Sequence, residues 1–189
     1  MKYTYTLATA LLVLFVMQAC SPSAGRQVQQ QIDDTPSWFL SPPADTHEYL
    51  YATGSFTSSR RNIAQSRAML QANTNMAVKL GTVIENLQEE FFEEITSGER
   101  NNYSDAFTNA TRQITNQELV GLTQDRVQFI SRADGQFEAF ILARIPVGAA
   151  RSALENALSN DEEMYVRFQR SNAFERMDEA LQRSGQRGN

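Results

Sequence analysis

The stretch LVGLTQDRVQFISRADGQFEAFILARI, residues 119–145, decides the fold. Two arms, 119–131 and 136–145, flank Arg132-Ala133-Asp134-Gly135. An Asp-Gly pair between β-rich arms is a strong hairpin signal. In the second arm Phe137, Ala139, Ile141, Ala143 and Ile145 share one face, and Phe140 and Leu142 add apolar bulk on the other, which predicts a central strand.

Upstream, Tyr49, Tyr51 and Thr53 alternate with Leu50 and Ala52 in HEYLYATGSF, a third strand by its aromatic enrichment. Gly54 is read as its exit, after which Ser58 or Ser59 can cap a helix. That helix is expected from 60 to about 87. Ala64, Ala68 and Ala72 form an i, i+4 ridge, and Ile63, Leu70, Ala77, Leu80, Ile84 and Leu87 widen the apolar stripe. Small side chains on the ridge let the helix lie close to a sheet, and Gly81 is expected to end or kink it.

SGERNNYS, residues 97–104, reads as a loop by composition, with Ser104 capping a second helix to about 118 that carries Phe107, Thr111 and Ile114. After the hairpin, Pro146 and Gly148 lead into a helix through Leu154 and Leu158. Ser159-Asn160-Asp161-Glu162 has capping-box spacing for a final helix carrying Met164, Phe168, Met177 and Leu181, frayed from Ser184. The fold class is α+β, a small antiparallel sheet of about three strands covered by helices, with a C-terminal helix.

The N-terminus reads differently. Lys2 precedes an apolar run over residues 7–17, followed by Ala19 and the chain's one cysteine, Cys20. The run is shorter than the roughly 20 apolar residues a spanning helix needs, and the three-part layout is that of a secretory signal peptide. A core helix at this place would want an amphipathic face, which the run lacks. Removing 1–19 takes Lys2 and no acid, moving the net charge from -5 to -6. That balance disfavours nucleic acid, whose binding rests on basic patches. Residues 20–35, rich in Ser and Gln, read as a flexible tether whose span is roughly 20 to 25 Å. In PSWFLSPP, residues 36–43, the prolines are expected to favour extended or turn backbone. Trp38 there is expected to plug a core edge, the alternative being a ligand-stacking or membrane-surface aromatic. The expected organisation is 1–19 leader, 20–35 lipidated terminus and tether, 36–147 α/β domain and 148–189 helical extension.

Met17-Gln18-Ala19-Cys20 resembles the lipobox of bacterial lipoproteins, with cleavage between Ala19 and Cys20 and acylation of Cys20. Met17 stands where leucine is usual and Gln18 where a small residue is usual. The alternative for Cys20 is a free thiol open to intermolecular disulfides. Together with Pro36-Ser37-Trp38-Phe39, Tyr51-Ala52-Thr53-Gly54, the alanine-spaced helix and the hairpin from Val120-Gly121-Leu122 to Phe137-Glu138-Ala139-Phe140-Ile141-Leu142, this layout resembles the Lpp-twenty family of bacterial outer-membrane lipoproteins over roughly 36–147. The resemblance implies a compact lipid-anchored domain without catalytic residues, facing the periplasm, in a family that includes a ring lipoprotein of the flagellar motor.

The chemistry-bearing residues are sparse. Glu89-Glu90 and Glu93-Glu94 around Phe91-Phe92 read as a solvated face, because a calcium site needs six to eight oxygens in a defined loop. His47 near Asp45 and Glu48 reads as a surface histidine over a metal ligand. No Gly-x-Ser-x-Gly elbow or phosphate-binding glycine motif occurs. No enzyme, metal or cofactor is expected. MYVRFQRSNAFERMDEALQR, residues 164–183, is read either as a helix packed on its own domain or as an amphipathic arm presenting Phe168, Met177 and Leu181 to a partner. The expected function is a lipid-anchored structural or assembly component of the envelope, as a homo-oligomer or with envelope protein partners. The alternative is a periplasmic module binding a small ligand, glycan or peptidoglycan fragment on Trp38 and Tyr51.

Overall fold

The Asp-Gly pair turns the chain where expected. Gly135 takes φ 79°, a left-handed value that glycine adopts freely. Its N–H donates to the Arg132 carbonyl (3.0 Å), and the Arg132 N–H donates to the Gln136 carbonyl (2.8 Å). The result is a three-residue hairpin loop. This is a computed structural model, and it describes residues 34–183. The leader over 1–19, Ala19, Cys20, all but the end of the tether and the tail from Ser184 lie outside the described residues.

From Pro36 onward the order is α1 (Ser37–Leu40), β1 (Tyr49–Ser58), α2 (Arg61–Glu94), α3 (Ser97–Asn116), β2 (Thr123–Ser131), β3 (Phe137–Pro146), α4 (Val147–Leu158), α5 (Glu162–Phe168), α6 (Asn172–Glu175) and α7 (Met177–Arg183). The sheet runs β1-β3-β2, both pairings antiparallel, so the strand with apolar residues on both faces is the central one. The fold is α+β, as its sequence pattern predicts.

Helix α2 lies across β1 and β3. Its ridge of Ala64, Ala68 and Ala72 meets Ala139, Ile141 and Ala143 of β3 in one buried cluster. Contact this close leaves no room for a side chain at Gly54, which lies inside β1 and is not its exit. A Cβ there would stand 2.3 Å from the Ala68 carbonyl oxygen and 2.4 Å from the Ala72 nitrogen. Helix α2 also runs through Gly81 without ending. The missing side chain there lets α3 approach, with the Thr115 and Thr111 methyls 3.3 and 3.5 Å from where a Cβ would be. Ile63 and Leu70 lie off the alanine ridge and are exposed, contrary to expectation.

The expected loop over 97–104 is the first part of α3. Thr96 and Glu99 form a reciprocal capping box, and the stretch Thr96-Ser97-Gly98-Glu99 has the spacing for it. The Thr96 N–H and hydroxyl both donate to the Glu99 carboxylate (3.0 and 2.9 Å), which holds its pKa below the usual carboxylate value. A carboxylate with a depressed folded-state pKa stabilises the fold above its unfolded pKa, and that contribution is lost as pH falls through the folded value. Thermal melts of Glu99→Gln are therefore expected to differ from wild type near neutral pH and to converge with it in acid.

PSWFLSPP is also helical for one turn. Pro36 stands just outside α1 and supplies its first acceptor, taking bonds from the N–H groups of Phe39 and Leu40, so a stretch expected to be extended or turn backbone opens with a helical turn.

The C-terminal segment is three short helices where one was expected. Asp161 caps α5 by accepting from the Met164 N–H, and Ser171 caps α6 through the Phe174 N–H. Met164, Phe168, Met177 and Leu181 are all fully buried, in the same core as Leu50, Leu80, Ile84, Phe91, Phe107 and Ile145. The expected boundary after 147 therefore does not separate a domain from an extension. Residues before and after it share one core.

Candidate functional site

The sheet has two edges, and the chain treats them differently. Along a central strand, alternate residues bond to alternate neighbours. The Arg132 bond to Gln136 and the Val147 N–H donated to the Glu48 carbonyl (2.9 Å) fix that alternation. Outward-facing backbone groups therefore belong to Tyr49, Tyr51, Thr53, Ser55 and Thr57 on β1, and to Val127, Phe129 and Ser131 on β2.

Side chains cover the first half of the β1 edge. The Asp45 carboxylate accepts from the Tyr51 N–H (2.9 Å), the Lys79 ammonium donates to the Tyr51 carbonyl (2.8 Å) and to both Asp45 oxygens, and Asn75 donates to the Thr53 carbonyl (2.7 Å). Thr46 serves Tyr49 in the same way. The Asp45 side chain is 1% exposed, so this pair lies out of water on the carboxylate side. Lys79→Ala is expected to cost about 2 kcal/mol, because it strands a buried carboxylate and a strand carbonyl together. Urea denaturation against Lys79→Arg checks it.

No side chain among the described residues bonds the outward groups of Val127 and Phe129. Helix α2 lies over β1 and β3 and barely reaches β2, which leaves this edge overhanging. On the α2 side Phe129 carries the Arg61 guanidinium 4.0 Å above its ring, and Val127 is 36% exposed. A bulge between Gln124 and Arg126 shifts the register of the pairing, and Asp125 there meets Arg144 (3.1 Å) and Arg126 (3.6 Å).

The residues expected to form a site do not converge. Trp38 is half-buried and its ring meets Phe39 at 6.2 Å, and Phe39 in turn stands edge-on to Phe140 at 4.8 Å. Phe39 thus covers part of the sheet face away from α2, and Trp38 stands beside it. Tyr51 is held through its backbone by Asp45 and Lys79. Phe168, Met177 and Leu181 are spent on the chain's own core, which corrects the reading of them as partner contacts.

The glutamates of α2 divide by face. Glu89 and Glu93 are exposed, whereas Glu90 lies near Arg176 (3.6 Å) and Arg183 (3.5 Å), and Glu94 accepts from the Asn172 N–H at the start of α6. Arg151 adds a second tie, to Asp178 (2.7 Å) and Glu155 (2.8 Å), which raises its already high pKa further, Asp178 most of all. The expected solvated face is half a clasp for the C-terminal helices. His47 stands exposed beside Glu48 (3.8 Å), while Asp45 turns away to Lys79. Among the described residues no three His, Cys, Asp or Glu side chains gather as a metal cage.

A groove of about 500 Å³ runs between α2 and the end of α3, lined by Leu70, Asn73, Thr74, Asn116, Gln117 and Glu118 among others. Apart from Glu118 these six are uncharged. The Asn73 side-chain Oδ1 accepts from the Leu119 N–H (3.1 Å), which fixes the loop that forms one wall.

Among the described residues no helix is long and apolar enough to cross a membrane. Comparison of the chain with protein-family models, with curated proteins and with solved structures finds no match.

Proposed function

We propose that this chain is a lipid-anchored lipoprotein of the bacterial outer membrane, facing the periplasm and acting as a non-enzymatic structural or assembly component of the envelope. The observation that carries the reading is Cys20, placed directly after a short apolar run and Ala19 and before a polar stretch. Each buried acyl methylene contributes about 0.8 kcal/mol, so one chain holds weakly and two or more hold firmly. A diacylated Cys20 is a lasting anchor for the domain that begins at Pro36. Fractionation of cells expressing Cys20→Ser tests it. Loss of the chain from the outer-membrane fraction is expected, and retention there would refute the anchor. The family resemblance extends the proposal to the flagellar motor, which a deletion strain with normal motility would refute.

The groove beside Asn73 favours a second reading, a module that binds a small ligand, glycan or peptidoglycan fragment. Its walls offer amide and hydroxyl groups over Leu70 and Leu119, the mixed lining such ligands take. A soluble muropeptide should raise the melting temperature of the wild type and not of Thr74→Trp, whose indole would fill the groove.

A further inference from the structure

We propose that the β2 edge is a pairing surface for the β2 edge of a second copy of this chain, joining two three-stranded sheets into one. The inference deepens the assembly reading by naming the partner and the residues that meet it.

Two observations carry it. The first half of the β1 edge is occupied by Asp45, Lys79, Asn75 and Thr46, while the outward backbone groups of Val127 and Phe129 have no protein partner among the described residues. A long, uncovered edge is a template for another strand. The second observation is that β2 suits its own antiparallel copy. A two-fold axis at Gln128 places Val127 opposite Phe129 of the second copy, so that each exchanges its backbone bonds with the other. Those two side chains lie on the same face, and an aromatic beside a β-branched residue is a favourable cross-strand pair. Arg126 then faces Ile130 of the second copy and Gln128 faces Gln128, so no like charges meet. The chain carries a net charge of -5, which repels a copy at most approaches, but the charges of TQDRVQFIS are Asp125 and Arg126 alone, and they cancel. Such pairing is isologous and closes at two copies. The bulge at Asp125 limits its length at one end, and the hairpin loop limits it at the other.

The geometry gives a direct test in the intact, membrane-anchored chain. At the axis the two Gln128 residues form a non-hydrogen-bonded pair, whose Cα atoms lie about 4.5 Å apart, within the range of roughly 4.4 to 6.8 Å that a disulfide spans. Gln128→Cys, expressed in cells and examined by non-reducing electrophoresis of the membrane fraction, should give a species of twice the monomer mass. Gln71→Cys, on the exposed face of α2, should give several-fold less, and the unsubstituted chain reports whatever Cys20 contributes. Val127→Pro removes one outward-facing N–H and no bond of the sheet's own ladder, so Gln128→Cys combined with it should lose the link while the purified protein still melts cooperatively. Val127→Lys serves the same purpose if the proline variant does not fold. A Gln128→Cys chain that links no better than Gln71→Cys overturns the proposal, as does a link that survives in Val127→Lys. The membrane fraction is scored separately: a soluble chain would sink the anchor, and a membrane-bound chain without the link would sink the pairing alone.

Discussion

Gly54→Ala is expected to destabilise the chain by about 3 kcal/mol or more, the upper end of the usual cost of overpacking. A methyl group at that position would stand 2.3 Å from the Ala68 oxygen and 2.4 Å from the Ala72 nitrogen. Both are backbone atoms of α2, so no side chain can rotate aside, and relief requires moving the helix off the sheet. That movement would also open the packing of Ala64, Ala68 and Ala72 on Ala139, Ile141 and Ala143, since all but Ile141 are alanines and hold only at short range. Gly54→Val should prevent folding. Gly148→Ala is the control, because nothing lies within 4 Å of a Cβ there. Relieving a helical glycine is worth up to about 1 kcal/mol, so this variant should be as stable as wild type or more so. Urea denaturation of the three variants checks the order.

The same glycine shows what was legible in the sequence and what was not. The alanine ridge announced that α2 lies close to a sheet, and alternation around Asp134-Gly135 placed β2 and β3. Both signals are local and periodic. Gly54 looks like a strand end along the chain because a glycine's reason can lie across space, here in Ala68 and Ala72, and spacing does not report it. Gly81 misled in the same way, its partner being the Thr111–Thr115 turn of α3. The first part of α3 failed for a different reason. Its polar composition resembles a loop, while the helix start is marked by the reciprocal pair Thr96 and Glu99, whose bonds form only once the turn is folded. At the candidate site, the capped and uncapped sheet edges could not be read at all, because Asp45, Lys79 and Asn75 meet Tyr51 and Thr53 only through the fold.

The C-terminal helices supply the second large effect, and it separates two readings of the segment after 158. Phe168 is fully buried, with its ring centre 5.8 Å from Phe91, 5.8 Å from Phe107 and 5.7 Å from Phe174, three aromatics drawn from α2, α3 and α6. Phe168→Ala should cost about 3 to 5 kcal/mol, the usual range for emptying an aromatic site in a core. In a domain of this size that lowers the melting temperature by about 10 °C. Deleting residues 159–189 goes further. It uncovers Phe91 and Phe107 together and removes partners of Glu90, Glu94 and Arg151. The shortened chain is expected to lose its cooperative melt. An amphipathic arm reserved for a partner would behave in the opposite way, since its removal would leave the melting of the rest unchanged. Calorimetry of the full chain and the deletion decides between them, and Phe168→Leu, which keeps most of the apolar volume, should fall between wild type and Phe168→Ala.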